Sequence, residues 1–242
     1  MNHHRNLTVA DMVTISNGLL GFLAITYIVD GRFFDASITI IICIGIDGMD
    51  GVIARYMGTS HRMGAYLDLF SDAISFCFAP ALLVYSNYYD KTLGRAWESN
   101  LNMAATLVPM MMVFFGVLRL SRFAHRESTD TFYNGLPVPA MALMLVLLIS
   151  LLGSEMPFVV LTVAVILSSM LYSTLPYPKL RGRRWMLPGM VMLTLALFGE
   201  IFAKISYSSG PILLLAALVM CAVYIMVGPI TVGYRWIGKQ NV

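Results

Sequence analysis

Four aspartates stand out as residues able to do chemistry: Asp47 and Asp50 in D-G-M-D-G-V-I-A-R, then, eight residues later, Asp68 and Asp72 in G-A-Y-L-D-L-F-S-D. On a helix, Asp47 and Asp50 are i, i+3 neighbours and Asp68 and Asp72 are i, i+4 neighbours, so each pair shares one face. A linker from about Tyr56 to Arg62 lets a second helix return antiparallel and bring the two pairs face to face. Carboxylate oxygens so gathered suit one or two hard divalent cations, Mg²⁺ or Mn²⁺. Gly48, Gly51 and Gly64 open the backbone beside the acids to a phosphate, and Arg55, one turn beyond Gly51, can bind that phosphate bidentately. The set reads as a site for a metal-bridged anion, and a pyrophosphate linkage fits best.

These acids must be carried by membrane helices. The chain has 242 residues, 58% of them hydrophobic and 12% charged, against roughly 25% charged in an average soluble domain. A carboxylate near hydrocarbon costs at least ~2.5–3.5 kcal/mol on the mildest insertion scales, so clustered ones need compensation and mark a functional site. Apolar stretches of about 20 residues, the length a span requires, fall at approximately 9–29, 36–57, 63–86, 101–122, 136–153, 156–175, 185–205 and 210–232. Turn chemistry supports the breaks at Asp30-Gly31, Asn134-Gly135-Leu136-Pro137, Met156-Pro157, Pro176-Tyr177-Pro178 and Ser209-Gly210-Pro211. The expectation is an all-α, polytopic membrane helical bundle of about eight transmembrane helices. It forms a single membrane domain over 1–242, with a catalytic core at about 9–175 and additional C-terminal helices at about 185–232. The first segment lacks a small-residue cleavage site and carries Asp11, Thr14 and Asn17, which reads as a retained helix rather than a signal peptide.

Charge sets the orientation. With the N-terminus inside, twelve of the sixteen Lys and Arg fall on the inner side and only Arg32, Lys91, Arg95 and Lys204 on the other. This bias places both termini in the cytoplasm and the active site near the cytoplasmic face of the cell membrane. The net charge of +3 follows this topology and forms no nucleic-acid patch. Cys43, Cys77 and Cys221 are far apart in apolar runs, without metal-ligand spacing, and read as packing residues. His61, Arg62, His125 and Arg126 read as solvated interface residues, and Lys179, Arg181, Arg183 and Arg184 as a basic inner loop against anionic lipid headgroups.

The pattern Asp47-x2-Asp50-Gly51-x2-Ala54-Arg55-x8-Gly64-x3-Asp68-x3-Asp72 matches every fixed position of the CDP-alcohol phosphotransferase signature, and the chain resembles that family. The resemblance implies a membrane enzyme that transfers the phosphoryl-alcohol part of a CDP-linked lipid to an acceptor hydroxyl and releases CMP. It further implies that Asp47, Asp50, Asp68 and Asp72 hold the metals, that Asp72 also acts as general base, and that Gly51, Ala54, Arg55 and Gly64 shape the nucleotide pocket.

Asp68-Leu-Phe-Ser-Asp-Ala-Ile-Ser-Phe76 with Ala79-Pro80-Ala81 looks like the phosphatidylserine synthase and archaetidylserine synthase branch. Thr14-Ile-Ser-Asn17 with Gly21, Arg119-Leu-Ser-Arg122-Phe123 and Gly135-Leu-Pro-Val-Pro-Ala140 agree with it. That branch often differs at Val52, Tyr66, Cys77 and Ala124, none of which is a signature position. The resemblance implies L-serine as acceptor and a homodimer, for which Gly153, Gly189 and Gly199 offer small packing residues. Arg119 and Arg122, i, i+3 neighbours on an apolar helix, offer the cation that a carboxylate-bearing acceptor needs. Thr14 and Asn17 offer hydrogen bonds to the cytosine or a phosphate. The alternatives are another polar acceptor, glycerol phosphate or inositol phosphate, and, in a different class, an Asp-based membrane transporter.

Overall fold

Helix α1 (Val9–Val29) starts at a reciprocal cap. The Thr8 hydroxyl accepts from the Asp11 N–H at 3.2 Å and Asp11 Oδ2 accepts from the Thr8 N–H at 2.9 Å, which satisfies two donors that a helix start would otherwise leave open. It ends at Asp30, where Gly31 adopts φ +73° and turns the chain. Helix α2 (Phe33–Met57) then runs back along α1. Helix α3 (Arg62–Asp72), a π-helical stretch (Ala73–Phe78) and α4 (Ala79–Tyr88) follow without a break as one rod. Next come α5 (Asn100–Ala124), β1 (Phe132–Asn134), α6 (Val138–Leu152), α7 (Pro157–Leu171), β2 (Pro176–Pro178), α8 (Arg183–Ile205) and α9 (Gly210–Gln240).

This is a computed structural model, and it describes residues 8–57, 62–124, 132–178, 183–205 and 209–240; within these, the side chains of 10, 50–57, 62, 123–124, 132–133, 183–185 and 232–240 lie outside the description. The expectations for His61, His125, Arg126, Lys179 and Arg181, and for the side chains of Arg62, Arg183 and Arg184, fall outside the described residues.

Every expected apolar stretch contains a helix. Five helices are long and apolar enough to cross a membrane: Asp11–Val29, Met63–Tyr88, Asn100–Arg122, Met186–Ile205 and Gly210–Thr231. The protein is therefore a multi-pass, all-α membrane bundle. The expected segment 156–175 is shorter than the sequence indicates. It stops at Leu171, and 176–178 instead pair antiparallel with 132–134, Tyr177 opposite Tyr133. Pro176 and Pro178 cannot donate to a helix ladder, so the chain leaves the helix before them. Gly135, at φ +82°, lies so close to the Leu171 carbonyl that a side chain there would collide with it.

The short β1–β2 pair anchors the last helix to the first seven. The buried Tyr177 hydroxyl donates to the Ile225 carbonyl at 3.2 Å, and the Tyr224 hydroxyl donates to the Pro178 carbonyl at 3.1 Å. Helix α6, the most completely buried, is enclosed by α2, α4, α7 and α9. The Ser150 hydroxyl on α6 donates to the buried Glu200 carboxyl on α8. Gly199 is spent inside this chain, since a Cβ there would stand 2.9 Å from Leu214 of α9. The expectation that it packs between helices is met by close α8–α9 packing.

The contact that governs the site is between α1 and the rod beginning at α3. Ser71 Oγ donates to the Thr14 carbonyl at 2.8 Å, and Ser75 Oγ donates to the Asn17 carbonyl at 3.0 Å. Glycine at 18 and 21 permits this approach: a Cβ on Gly18 would stand 2.9 Å from Ser71 Oγ, and one on Gly21 would stand 2.8 Å from Ser75 Cα. Small residues that let backbones meet are the usual means of joining helices in lipid. Gly21→Leu is expected to destabilise the protein by about 1–3 kcal/mol through overpacking. The measurement is the melting temperature in detergent, with Gly45→Ala, where nothing lies within 4 Å, as the variant expected to leave it unchanged.

Candidate metal and nucleotide site

The C-terminal half of α2 and the last turns of α3 bring three acids together. One carboxylate oxygen from each of Asp47, Asp68 and Asp72 lies within 4.8 Å of the others, and all three side chains are half-buried. Two oxygens on opposite sides of a Mg²⁺ stand about 4.2 Å apart at ~2.1 Å per bond, so the triad has the scale of a shared cation. The donor set is oxygen only, the chemistry that hard divalent cations prefer over softer metals. The triad can therefore coordinate a divalent metal.

The other expected members divide into three groups. Asp50, Gly51, Ala54 and Arg55 lie on α2, one to two turns past Asp47, but their side chains lie outside the described residues. Gly48 and Gly64 bracket the acids. Open space surrounds the position a Cβ would take on Gly48, whereas a Cβ on Gly64 would stand 2.9 Å from Asp11 Oδ1. Asp11 is thus a fifth acid beside the signature glycine. Sequence reasoning treated it only as a polar residue in the first helix, although Thr8-x-x-Asp11 is a capping-box spacing that fixes it at the helix start. Filling Gly64 with Leu is expected to force this carboxylate and α3 apart and to lower activity at least ~10²-fold, the scale of a misplacement of about 1 Å. CMP release by the variant, recovered as folded protein by gel filtration in detergent, checks this.

On α1, Thr14 and Asn17 are 7% and 1% exposed. The Asn17 carbonyl also faces Cys43 Sγ at 3.7 Å, so this turn of α1 touches both acid-bearing helices. The Asn17 side-chain oxygen is buried and accepts no hydrogen bond.

The two arginines expected to act together are separated by the fold. Arg119 on α5 is 8% exposed, on a helix that packs closely against the π-helical stretch following Asp72. Gly116 makes this possible, for a Cβ there would stand 2.6 Å from Cys77 Sγ. Arg122 is exposed; its Nη1 donates to the Tyr172 carbonyl at 3.2 Å and its guanidinium lies 4.6 Å from the Tyr172 ring centroid. One helical turn thus separates a buried cation from a surface cation that joins α5 to the end of α7.

A bundle whose membrane helices converge on an acid triad, with small residues beside it, defines a membrane-embedded site able to coordinate a divalent metal. The chain belongs to the CDP-alcohol phosphatidyltransferase family, whose model matches residues 7–174, from the start of α1 to just past α7. It is 33% identical over 193 residues to the CDP-diacylglycerol–serine O-phosphatidyltransferase of Methanocaldococcus jannaschii, covering 80% of this chain and 85% of that one. It is 30% identical over 203 residues to the protein of the same name in Helicobacter pylori strain 26695, covering 80% and 81%. To the archaetidylserine synthase of Methanothermobacter thermautotrophicus it is 30% identical over 179 residues, covering 73% and 72%. The family is that of the enzymes the motif resembles.

Proposed function

We propose that this protein transfers the phosphatidyl or archaetidyl group of a CDP-activated lipid to the hydroxyl of L-serine, releasing CMP, in membrane phospholipid synthesis. The observation that carries the reading is the triad of Asp47, Asp68 and Asp72 oxygens within one cation's reach, in a chain similar to serine O-phosphatidyltransferases.

In this reading Asp47, Asp50, Asp68 and Asp72 hold two Mg²⁺ or Mn²⁺ ions. When bound, these ions neutralise the diphosphate and the departing CMP. Asp72 accepts the proton of the serine hydroxyl as the serine oxygen attacks the phosphorus that bears the lipid. A new P–O bond to serine forms, the P–O bond to CMP breaks, and CMP leaves with the electron pair. Gly51, Ala54, Arg55, Gly64 and Thr14 line the nucleotide pocket. Arg119 pairs with the serine carboxylate; its burial on α5 supports it over the exposed Arg122, whose guanidinium lies against Tyr172. A single buried cation suits one carboxylate better than the phosphate-bearing acceptors glycerol phosphate and inositol phosphate.

The reading extends to the whole chain: a single membrane domain over 1–242 with eight spans, both termini cytoplasmic, the catalytic core at about 9–175, α8 and α9 as additions, and a homodimer as the assembly. In this reading α2 and the shorter apolar helices α6 and α7 supply the spans beyond the five long apolar helices.

The test is CMP release by purified protein in detergent with Mg²⁺ or Mn²⁺, offering CDP-diacylglycerol or CDP-archaeol with L-serine, glycerol 3-phosphate, inositol phosphate or no acceptor. Serine-dependent CMP is expected. CMP dependent on another acceptor would replace the substrate, and none with any acceptor from folded, metal-binding protein would overturn the reading in favour of a carrier.

A further inference from the structure

The acid triad, Arg119 and Asn17 occupy successive levels of one interior. Asp72 marks the level of the metals. Arg119 lies one turn past Gly116, toward the acids from the Gly116–Cys77 contact, across from Asp72. Asn17 is held one turn farther from the acidic end, because its carbonyl takes hydrogen bonds from Ser75, three residues past Asp72, and faces Cys43, four residues before Asp47. Its level is therefore about 5 Å deeper than the triad. A side-chain oxygen that is 1% exposed at the residue level and accepts no hydrogen bond costs about 1–3 kcal/mol unless something donates to it. Nothing among the described residues does so.

We infer that Asn17 forms the floor of the acceptor site and that its side-chain oxygen accepts from the amino group of serine. This deepens, and rests on, the function proposed above. A zwitterionic amino acid presents three groups: a hydroxyl for Asp72, a carboxylate for Arg119, and an ammonium that needs a buried acceptor. Open space surrounds the Cβ position of Gly48, and a nucleotide held on that side of the triad would leave the deeper side, where Asn17 lies, to the acceptor. This inference assigns Asn17 to the acceptor rather than to the nucleotide. A site built to receive an N–H donor discriminates strongly against an analogue lacking it, so Asn17 selects amino-bearing acceptors.

The experiment compares L-serine with 3-hydroxypropanoate, which lacks only the amino group, in CMP release by wild type and by Asn17→Ala, Asn17→Leu and Asn17→Asp. In the Ala and Leu variants the KM for serine is expected to rise at least ~10-fold with the KM for CDP-lipid within about twofold of wild type. The preference in kcat/KM for serine over 3-hydroxypropanoate is expected to fall by the same factor. Asn17→Asp, close to isosteric, keeps an acceptor for the ammonium and is expected to retain or sharpen that preference, which makes it informative even if the other two variants do not fold. An unchanged preference in a folded Ala or Leu variant, a preference lost in Asn17→Asp, or a rise confined to the KM for CDP-lipid would overturn the inference. Wild type that releases no CMP with serine would overturn the function itself, whereas serine-dependent wild-type activity with an unchanged preference in the variants would overturn only the role of Asn17.

Discussion

Asp72→Asn is expected to lower serine-dependent CMP release by about 10²–10⁴-fold, the range attributed to a positioned general base, with further loss from the metal it helps to hold. Asparagine has the same shape but accepts no proton at neutral pH. The neighbouring contacts that place this turn, Ser71 on Thr14 and Ser75 on Asn17, do not involve the carboxylate, so the variant is expected to fold and to elute in detergent like wild type. Single-turnover CMP release with saturating Mn²⁺ separates the two contributions. Restoration of most of the rate by metal alone would show that Asp72 is only a ligand and would remove it as the base.

Removing the metal is expected to abolish activity altogether. Chelation with EDTA should eliminate CMP release, and Mg²⁺ or Mn²⁺ should restore it. The structural ground is that three carboxylates within 4.8 Å of one another repel strongly without a cation between them. Asp68→Asn is expected to raise the Mn²⁺ concentration for half-maximal activity by at least ~10–100-fold, since even partners one step removed from a metal are worth that much. Mn²⁺ binding followed by electron paramagnetic resonance measures the same loss without turnover. Metal-independent CMP release by the EDTA-treated protein would refute this part of the mechanism.

The acid site was legible because spacing alone gives geometry on a helix: Asp68 and Asp72, four apart, and Asp47 on a neighbouring antiparallel helix could meet only in this way. The helix ends at Asp30-Gly31 and Met156-Pro157 were legible because glycine and proline act on the local backbone. The β1–β2 pairing was not, because Phe132–Asn134 and Pro176–Pro178 are three-residue segments whose partnership is set across two intervening helices. Nor was the division of labour between Arg119 and Arg122. Their i, i+3 spacing puts them on neighbouring parts of one face, and only the position of Cys77 on one side and Tyr172 on the other decides which is buried. Asp11 looked like an isolated polar residue, since its relation to Gly64 depends on how α1 and α3 meet. That meeting is encoded in Gly18 and Gly21 against Ser71 and Ser75, a complementarity between two distant segments that neither displays by itself.

The π-helical stretch Ala73–Phe78 carries a consequence for how this span can change. A π turn holds its chain with i→i+5 bonds and so accommodates one residue more than the α-helix around it. A π stretch shortened by one residue and closed as α-helix turns through nearly the same angle, so deleting one residue between 73 and 78 would leave both halves of the rod facing as before, the acidic half on α1 and the other half on α5 and α6. Deleting one residue from the α-helical turns on either side would instead rotate everything beyond it by about 100° relative to Asp68 and Asp72. The surplus residue thus works as slack between two surfaces that must each face a different neighbour. A change of length is expected to be tolerated within this stretch and not in the turns that flank it.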